Sequence, residues 1–149
     1  RRLNSLTKKD AYPLPRIEET FTLLSGSKRF TVLDLKSGYY QLEVETADRP
    51  KTALTTPFGT WKFRRITQGL TNSPATFQRT MEKVMEGINL QEVVAFLNDL
   101  IIYSISLEEH EERLMKVLGY TLFEGVHIRL TLHCHKHDIT PVMSINDSL

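Results

Sequence analysis

A single cysteine, Cys134, stands among 149 residues. No internal disulfide framework is open to such a chain, and its cysteine usage suits a reducing compartment. No apolar run approaches the roughly 20 residues of a membrane-spanning helix, so no membrane partner is expected. No signal or transit sequence is read at the start, and Arg1 rather than a methionine opens the chain, as expected of a piece of something longer. An excess of one charge is missing too. The formal net charge is +1, which leaves any surface for a polyanion to local clusters. Internal repeats and low-complexity segments are also lacking. What remains is ordinary for a globular protein, with 40% hydrophobic and 25% charged residues, and is long enough for one domain with its own core.

The N-terminal stretch to Leu14 is polar and runs into Tyr12-Pro13-Leu14-Pro15, which reads as an extended lead-in because a proline disfavours helix in the residue before it. Ile17, Phe21 and Leu24 then fall at helical spacing, with Glu18 and Glu19 in the first turn and Gly26 as a stop. Arg29 to Leu35 alternates and is β-rich, so it reads as a strand, and Leu42 to Glu45 alternates like a strand edge. Lys51 to Thr56 and Thr60 to Ile66 read as a hairpin about Pro57-Phe58-Gly59. A helix starts at Ser73 as N-cap and Pro74 as first helical residue, with Phe77, Met81, Val84, Met85 and Ile88 on its core face and Gly87 at its end. A second hairpin spans Val93 to Tyr103, with Asn98-Asp99 as its two-residue turn. Leu107 to Leu118 is an amphipathic helix with outer pairs Glu109/Arg113 and Glu112/Lys116, and His110 lies on its polar stretch as an exposed residue. Val126 to Leu132 alternates like a last strand.

Four features bear on chemistry. Asp34 ends an apolar strand, where a carboxylate is paired, hydrated, bound to a metal, or capping the Ser37-Gly38 turn. Asn98-Asp99 is either turn chemistry alone or a turn presenting a carboxylate to a metal ion. Arg49, Lys51, Lys62, Arg64 and Arg65, interleaved with Phe58, Trp61 and Phe63, suit a nucleic-acid backbone and its bases or an ordinary solvated hairpin. His133, Cys134, His135, His137 and Asp138 are ligand types, but their spacing matches no zinc framework.

Five short motifs stand in one order: Tyr12-Pro13-Leu14-Pro15-Arg16-Ile17, Asp34-Leu35-Lys36-Ser37-Gly38-Tyr39-Tyr40-Gln41, Pro50-Lys51-Thr52-Ala53, Gly69-Leu70-Thr71-Asn72-Ser73-Pro74-Ala75-Thr76-Phe77-Gln78, and Phe96-Leu97-Asn98-Asp99. Together they resemble the reverse transcriptase domain of gypsy-type LTR retrotransposon Pol polyproteins, and more distantly that of retroviruses, over about residues 1–118. The resemblance implies an α+β fold, a palm with partial fingers in which an antiparallel sheet is backed by helices, followed over 119–149 by a divergent tail without a thumb. It implies template-directed nucleotidyl transfer from a deoxynucleoside triphosphate to a primer 3′-hydroxyl on an RNA or DNA template. Two magnesium or manganese ions about 4 Å apart would serve that chemistry, held by the carboxylates that hard cations require. Asp34 matches the strand ligand and Asp99 the second aspartate of the turn. Tyr39 stands at the steric-gate position, Gln68 and Gly69 in the loop against the incoming nucleotide, and Pro74, Phe77 and Gln78 in the helix beneath the template. Arg64 and Arg65 are candidates for the template backbone. The setting implied is intracellular, cytoplasm or nucleus.

Three departures accompany the match. Asn98 stands where the family has the first aspartate of the turn, removing one negative charge, at an expected cost of several kcal/mol of transition-state stabilisation. The upstream fingers strands are absent, and the segment from Leu130 to Leu149 leaves the family pattern. The expected function is therefore an RNA-directed DNA polymerase fragment of impaired activity, or an inactive remnant that keeps nucleic-acid binding or has no function.

Overall fold

The computed structural model describes residues 2–129. Its centre is a four-stranded sheet in the order β4-β5-β1-β6, antiparallel throughout. Strand β1 (Arg29–Leu35) lies between β5 (Asp99–Ser104) and β6 (Ile128–Arg129), and β4 (Val93–Phe96) closes the far edge. Alternation in β1 buries Thr31, Leu33 and Leu35. The pairing of Arg29 with Ser104 through Asp34 with Asp99 then fixes which residues share each face.

Helix α3 (Ser73–Val84) covers one face of the sheet. Phe77 and Met81 from the helix, and Met85 and Ile88 just beyond it, pack with Leu33, Leu35, Leu100, Ile102, Val93 and Ala95 in one buried cluster. The apolar stripe expected of this helix is therefore core. Its start lies one residue earlier than expected: Asn72 is the N-cap, and Ser73 is already helical. Helix α4 (Leu107–Phe123) adds Val117 to the same core. It extends past Leu118, and β6 follows it, so residues beyond 118 help build the central sheet.

Several expectations are corrected by tertiary contacts. The lead-in is not extended throughout: α1 (Arg2–Leu6) is helical, and Asn4 ties it to the Gly69–Thr71 loop through the Gly69 carbonyl at 2.6 Å and the Thr71 N–H at 3.1 Å. The edge at Leu42 to Glu45 is no strand. It follows a 3₁₀ turn, Gly38–Gln41, and makes a lone bridge from Glu43 to Arg65. The basic hairpin is shorter than expected, with β2 (Leu54–Thr56) and β3 (Gly59–Trp61), because Arg49–Thr52 winds into a 3₁₀ turn around Pro50. His110 is buried rather than exposed. Its Nε2 lies 2.7 Å from Thr31 Oγ1 and its Nδ1 2.9 Å from Ser104 Oγ, so α4 is pinned to β1 and β5 by a neutral imidazole. Burial first, then the charges of Arg29 and Arg113, push its pKa down. Helix α2 (Ile17–Leu24) forms as expected but buries no residue among those described. Cys134, His133, His135, His137 and Asp138 lie outside the described residues.

Candidate active site

The second hairpin is built differently from the turn read in the sequence. Strand β4 ends at Phe96 and β5 begins at Asp99, so Leu97 and Asn98 make the turn and Asp99 is a strand residue. Leu97 rather than Asn98 takes the left-handed backbone, with φ 51°. That conformation costs a leucine about 1–2 kcal/mol, so the surroundings must hold it. The Leu97 N–H donates to Gln78 Oε1 at 2.8 Å, and the Asn98 carbonyl accepts from the Leu35 N–H at 2.8 Å.

This one-residue shift sets the site. Asp99 becomes the direct cross-strand partner of Asp34. Directly opposed side chains in an antiparallel pair have Cβ atoms about 4.5–5.5 Å apart, and like charges there repel. The Asp99 pKa is accordingly raised, first by burial and then by the Asp34 charge. Two partly buried carboxylates that repel one another suit a divalent cation, and the hard oxygens are of the right type. Among the described residues, no third His, Cys, Asp or Glu joins them in a metal-binding cluster.

Asn98, beside Asp99, is a neutral amide. Its Oδ1 is sealed from solvent and has no hydrogen-bond partner among the described residues. The amide oxygen is packed on Gly38, where an added Cβ would sit 2.6 Å from Asn98 Oδ1 and 2.8 Å from Phe77 Cζ. Gly38 is thus required by space. The next residue, Tyr39, is half-buried, with its ring edge-to-face with Phe77 at 5.3 Å and 73°. Asp34, Asp99, Asn98, Tyr39 and Phe77 are therefore gathered around one end of the β1–β5 pair.

The other candidates are placed otherwise. Phe77 and Gln78 are wholly buried (0% exposed) beneath the β4–β5 turn, and Pro74 is half-buried at the start of α3. Gln68 and Gly69 are exposed, and Gly69 takes φ 88°. Of the basic cluster, Arg65 donates to the Gln41 carbonyl at 2.7 Å and pairs with Glu43 at 3.4 Å. Arg49 pairs with the same Glu43 at 3.5 Å, and Lys51 with Asp48. Lys62 and Arg64 stay exposed without an ion pair among the described residues. Asn4, Tyr12 and Glu82 are supporting residues that sequence reasoning missed, since their partners lie about 65–70 positions away.

The family profile described as "Reverse transcriptase (RNA-dependent DNA polymerase)" matches residues 1–140. This chain belongs to the reverse transcriptase family. Its match runs past residue 118, where the motif resemblance stops, as does the sheet through β6. An RNA-directed DNA polymerase homolog of Oenothera berteroana is 41% identical over 120 residues, covering 78% of this chain and 84% of that one. The retrovirus-related Pol polyprotein from transposon 297 of Drosophila melanogaster is 35% identical over 132 residues, 89% of this chain but 12% of the polyprotein. Among solved structures, the foamy viral protease-reverse transcriptase in complex with an RNA/DNA hybrid has a TM-score of 0.76 at 21% identity, over 85% of this chain and 17% of that one. The reverse-transcriptase fold is thus an α+β sheet backed by helices here, and the chain spans only a small part of the polyprotein and viral relatives. Divalent metal use is general in this family.

Proposed function

We propose that this chain carries the palm and part of the fingers, running past residue 118 through β6, of a retrotransposon-derived RNA-directed DNA polymerase, in impaired form. The reaction is transfer of a nucleotide from a deoxynucleoside triphosphate to the 3′-hydroxyl of a primer paired with RNA or DNA. The observation that carries this reading is the direct opposition of Asp34 and Asp99 across β1 and β5. Two magnesium or manganese ions, when bound, supply Lewis acidity to the attacking and leaving oxygens. Asp34 and Asp99 are the residues that would hold those ions. Tyr39, braced by Phe77, gates the sugar, and Gln68 and Gly69 lie against the incoming nucleotide. Exposed Lys62 and Arg64 meet the template backbone, with Arg65 beside them on Glu43.

Asn98 favours a second reading, an inactive remnant that retains nucleic-acid binding. A neutral amide with its oxygen packed on Gly38 offers less to a cation than a carboxylate. The test is primer extension with magnesium or manganese by the chain, by Asn98→Asp and by Asp34→Asn. The polymerase reading expects weak extension by the chain, a gain on the order of 100-fold or more in Asn98→Asp, and none in Asp34→Asn. Extension indifferent to Asp34→Asn sinks it. Salt-sensitive primer–template binding with no extension by any variant selects the remnant.

A further inference from the structure

Gln78 is fully buried in α3, yet its amide is almost saturated. Nε2 donates to the Ala95 carbonyl at 2.7 Å and to Glu82 Oε1 at 2.8 Å, while Oε1 accepts the Leu97 N–H at 2.8 Å. Three partners fix which way this amide faces, the Ala95 carbonyl, the Leu97 N–H and Glu82. The Glu82 carboxylate and the Ala95 carbonyl only accept and so take Nε2, and the Leu97 N–H only donates and so takes Oε1. The other Glu82 oxygen, Oε2, accepts from the Tyr12 hydroxyl. Tyr12 is held in turn: its N–H donates to Asp10 Oδ1 at 3.2 Å, and Arg79 stacks over its ring at 4.6 Å while donating to Asp10 Oδ2 at 2.6 Å. The Glu82 bond also raises the Tyr12 pKa, which keeps the phenol a donor.

A chain of contacts thus runs from the N-terminal strap through α3 to the backbone on either side of Phe96. Its endpoint is the strained residue of the molecule's most consequential turn. A one-residue slip there carries Asp99 out of the strand and onto the opposite face. We propose that Gln78, braced by Glu82 and Tyr12, is a positioning residue that clamps Leu97 and so presents Asp99 opposite Asp34. Its consequence for catalysis rests on the polymerase reading; the clamp itself does not.

The test follows Leu97 amide hydrogen exchange, Mn²⁺ affinity by electron paramagnetic resonance, and thermal stability on the whole chain. Gln78→Met is expected to lose Leu97 protection, keep that of Ile101, and weaken Mn²⁺ binding by about 10–100-fold, as loss of a residue supporting a metal ligand does. Tyr12→Phe and Glu82→Leu move both readouts the same way by less, and Glu82→Gln, which keeps an acceptor oxygen, stays near the parent. A folded Gln78→Met with Leu97 still protected overturns the proposal. So does Mn²⁺ affinity unchanged when that protection is lost. If Gln78→Met fails to fold, Tyr12→Phe and Glu82→Leu decide: faster exchange confined to the turn supports the clamp, and unchanged exchange overturns it. A parent chain that binds no Mn²⁺ defeats the polymerase reading, while Leu97 exchange still judges the clamp.

Discussion

At Asp99 two effects act in the same direction, since burial and the facing Asp34 both favour the protonated acid. The folded pKa lies above the unfolded value of 3.8. The stabilisation from protonation is complete below that value and is lost as pH rises through the folded one. A cation competes with the same proton. Mn²⁺ affinity is therefore expected to climb as pH rises through the folded Asp99 pKa and then level off, with Asp99→Asn removing the climb. Isothermal titration across pH checks this. Gly38 makes a second residue-scale case. A methyl group there meets Asn98 Oδ1 at 2.6 Å and Phe77 Cζ at 2.8 Å, so Gly38→Ala is expected to cost about 1–3 kcal/mol in urea unfolding. Asn98→Ala in the same chain removes one of the two obstacles. The double-mutant cycle should show coupling of about 0.5 kcal/mol or more, and strict additivity would contradict the packing.

Among the elements, α3 and α2 make a contrast that amphipathic spacing cannot reveal. Phe77 is 0% exposed at the centre of the core, whereas Phe21 on α2 is 68% exposed. Phe77→Ala is expected to destabilise by about 3–5 kcal/mol, and Phe21→Ala by no more than about 0.5 kcal/mol, both read by denaturant titration. The two helices carry similar apolar stripes, but only α3 has a sheet to lie on. Helix α4 depends on His110. Its folded pKa lies below the unfolded 6.5, so the stability it contributes is present above 6.5 and is lost as pH falls through the lower folded value. The groups facing it are Arg29 and Arg113, which lower its pKa, and Glu109, which opposes them. The Tm is expected to fall from about pH 7 to about pH 5 and to flatten in His110→Gln, as differential scanning calorimetry would measure.

For the whole molecule, a net charge of +1 makes nucleic-acid affinity depend on which cations are free. Glu43 sits between Arg49 and Arg65, so part of the basic cluster is neutralised in place. Glu43→Gln is expected to tighten primer–template binding at low salt and to steepen its salt dependence by roughly one unit of log–log slope. Lys62→Gln or Arg64→Gln should flatten it by a similar amount. Fluorescence anisotropy across a salt series reads both.

The sequence by itself determined the strand at β1, the core stripe of α3, the helix at α4 and the order of motifs that identifies the family. These are legible because alternation, helical spacing and turn residues act between near neighbours. It also named both aspartates and the Asn98 substitution between them. Only the tertiary structure decided that Leu97 takes the left-handed backbone, that Asp99 leaves the turn to oppose Asp34, and that Gln78 and His110 are buried and bonded. The reason is physical. A strained leucine or a buried amide is tolerated only where distant partners satisfy it, and Tyr12, Glu82, Thr31 and Ser104 are brought near by folding alone. The opposed carboxylates at the centre of the site are a consequence of register, which no single strand contains.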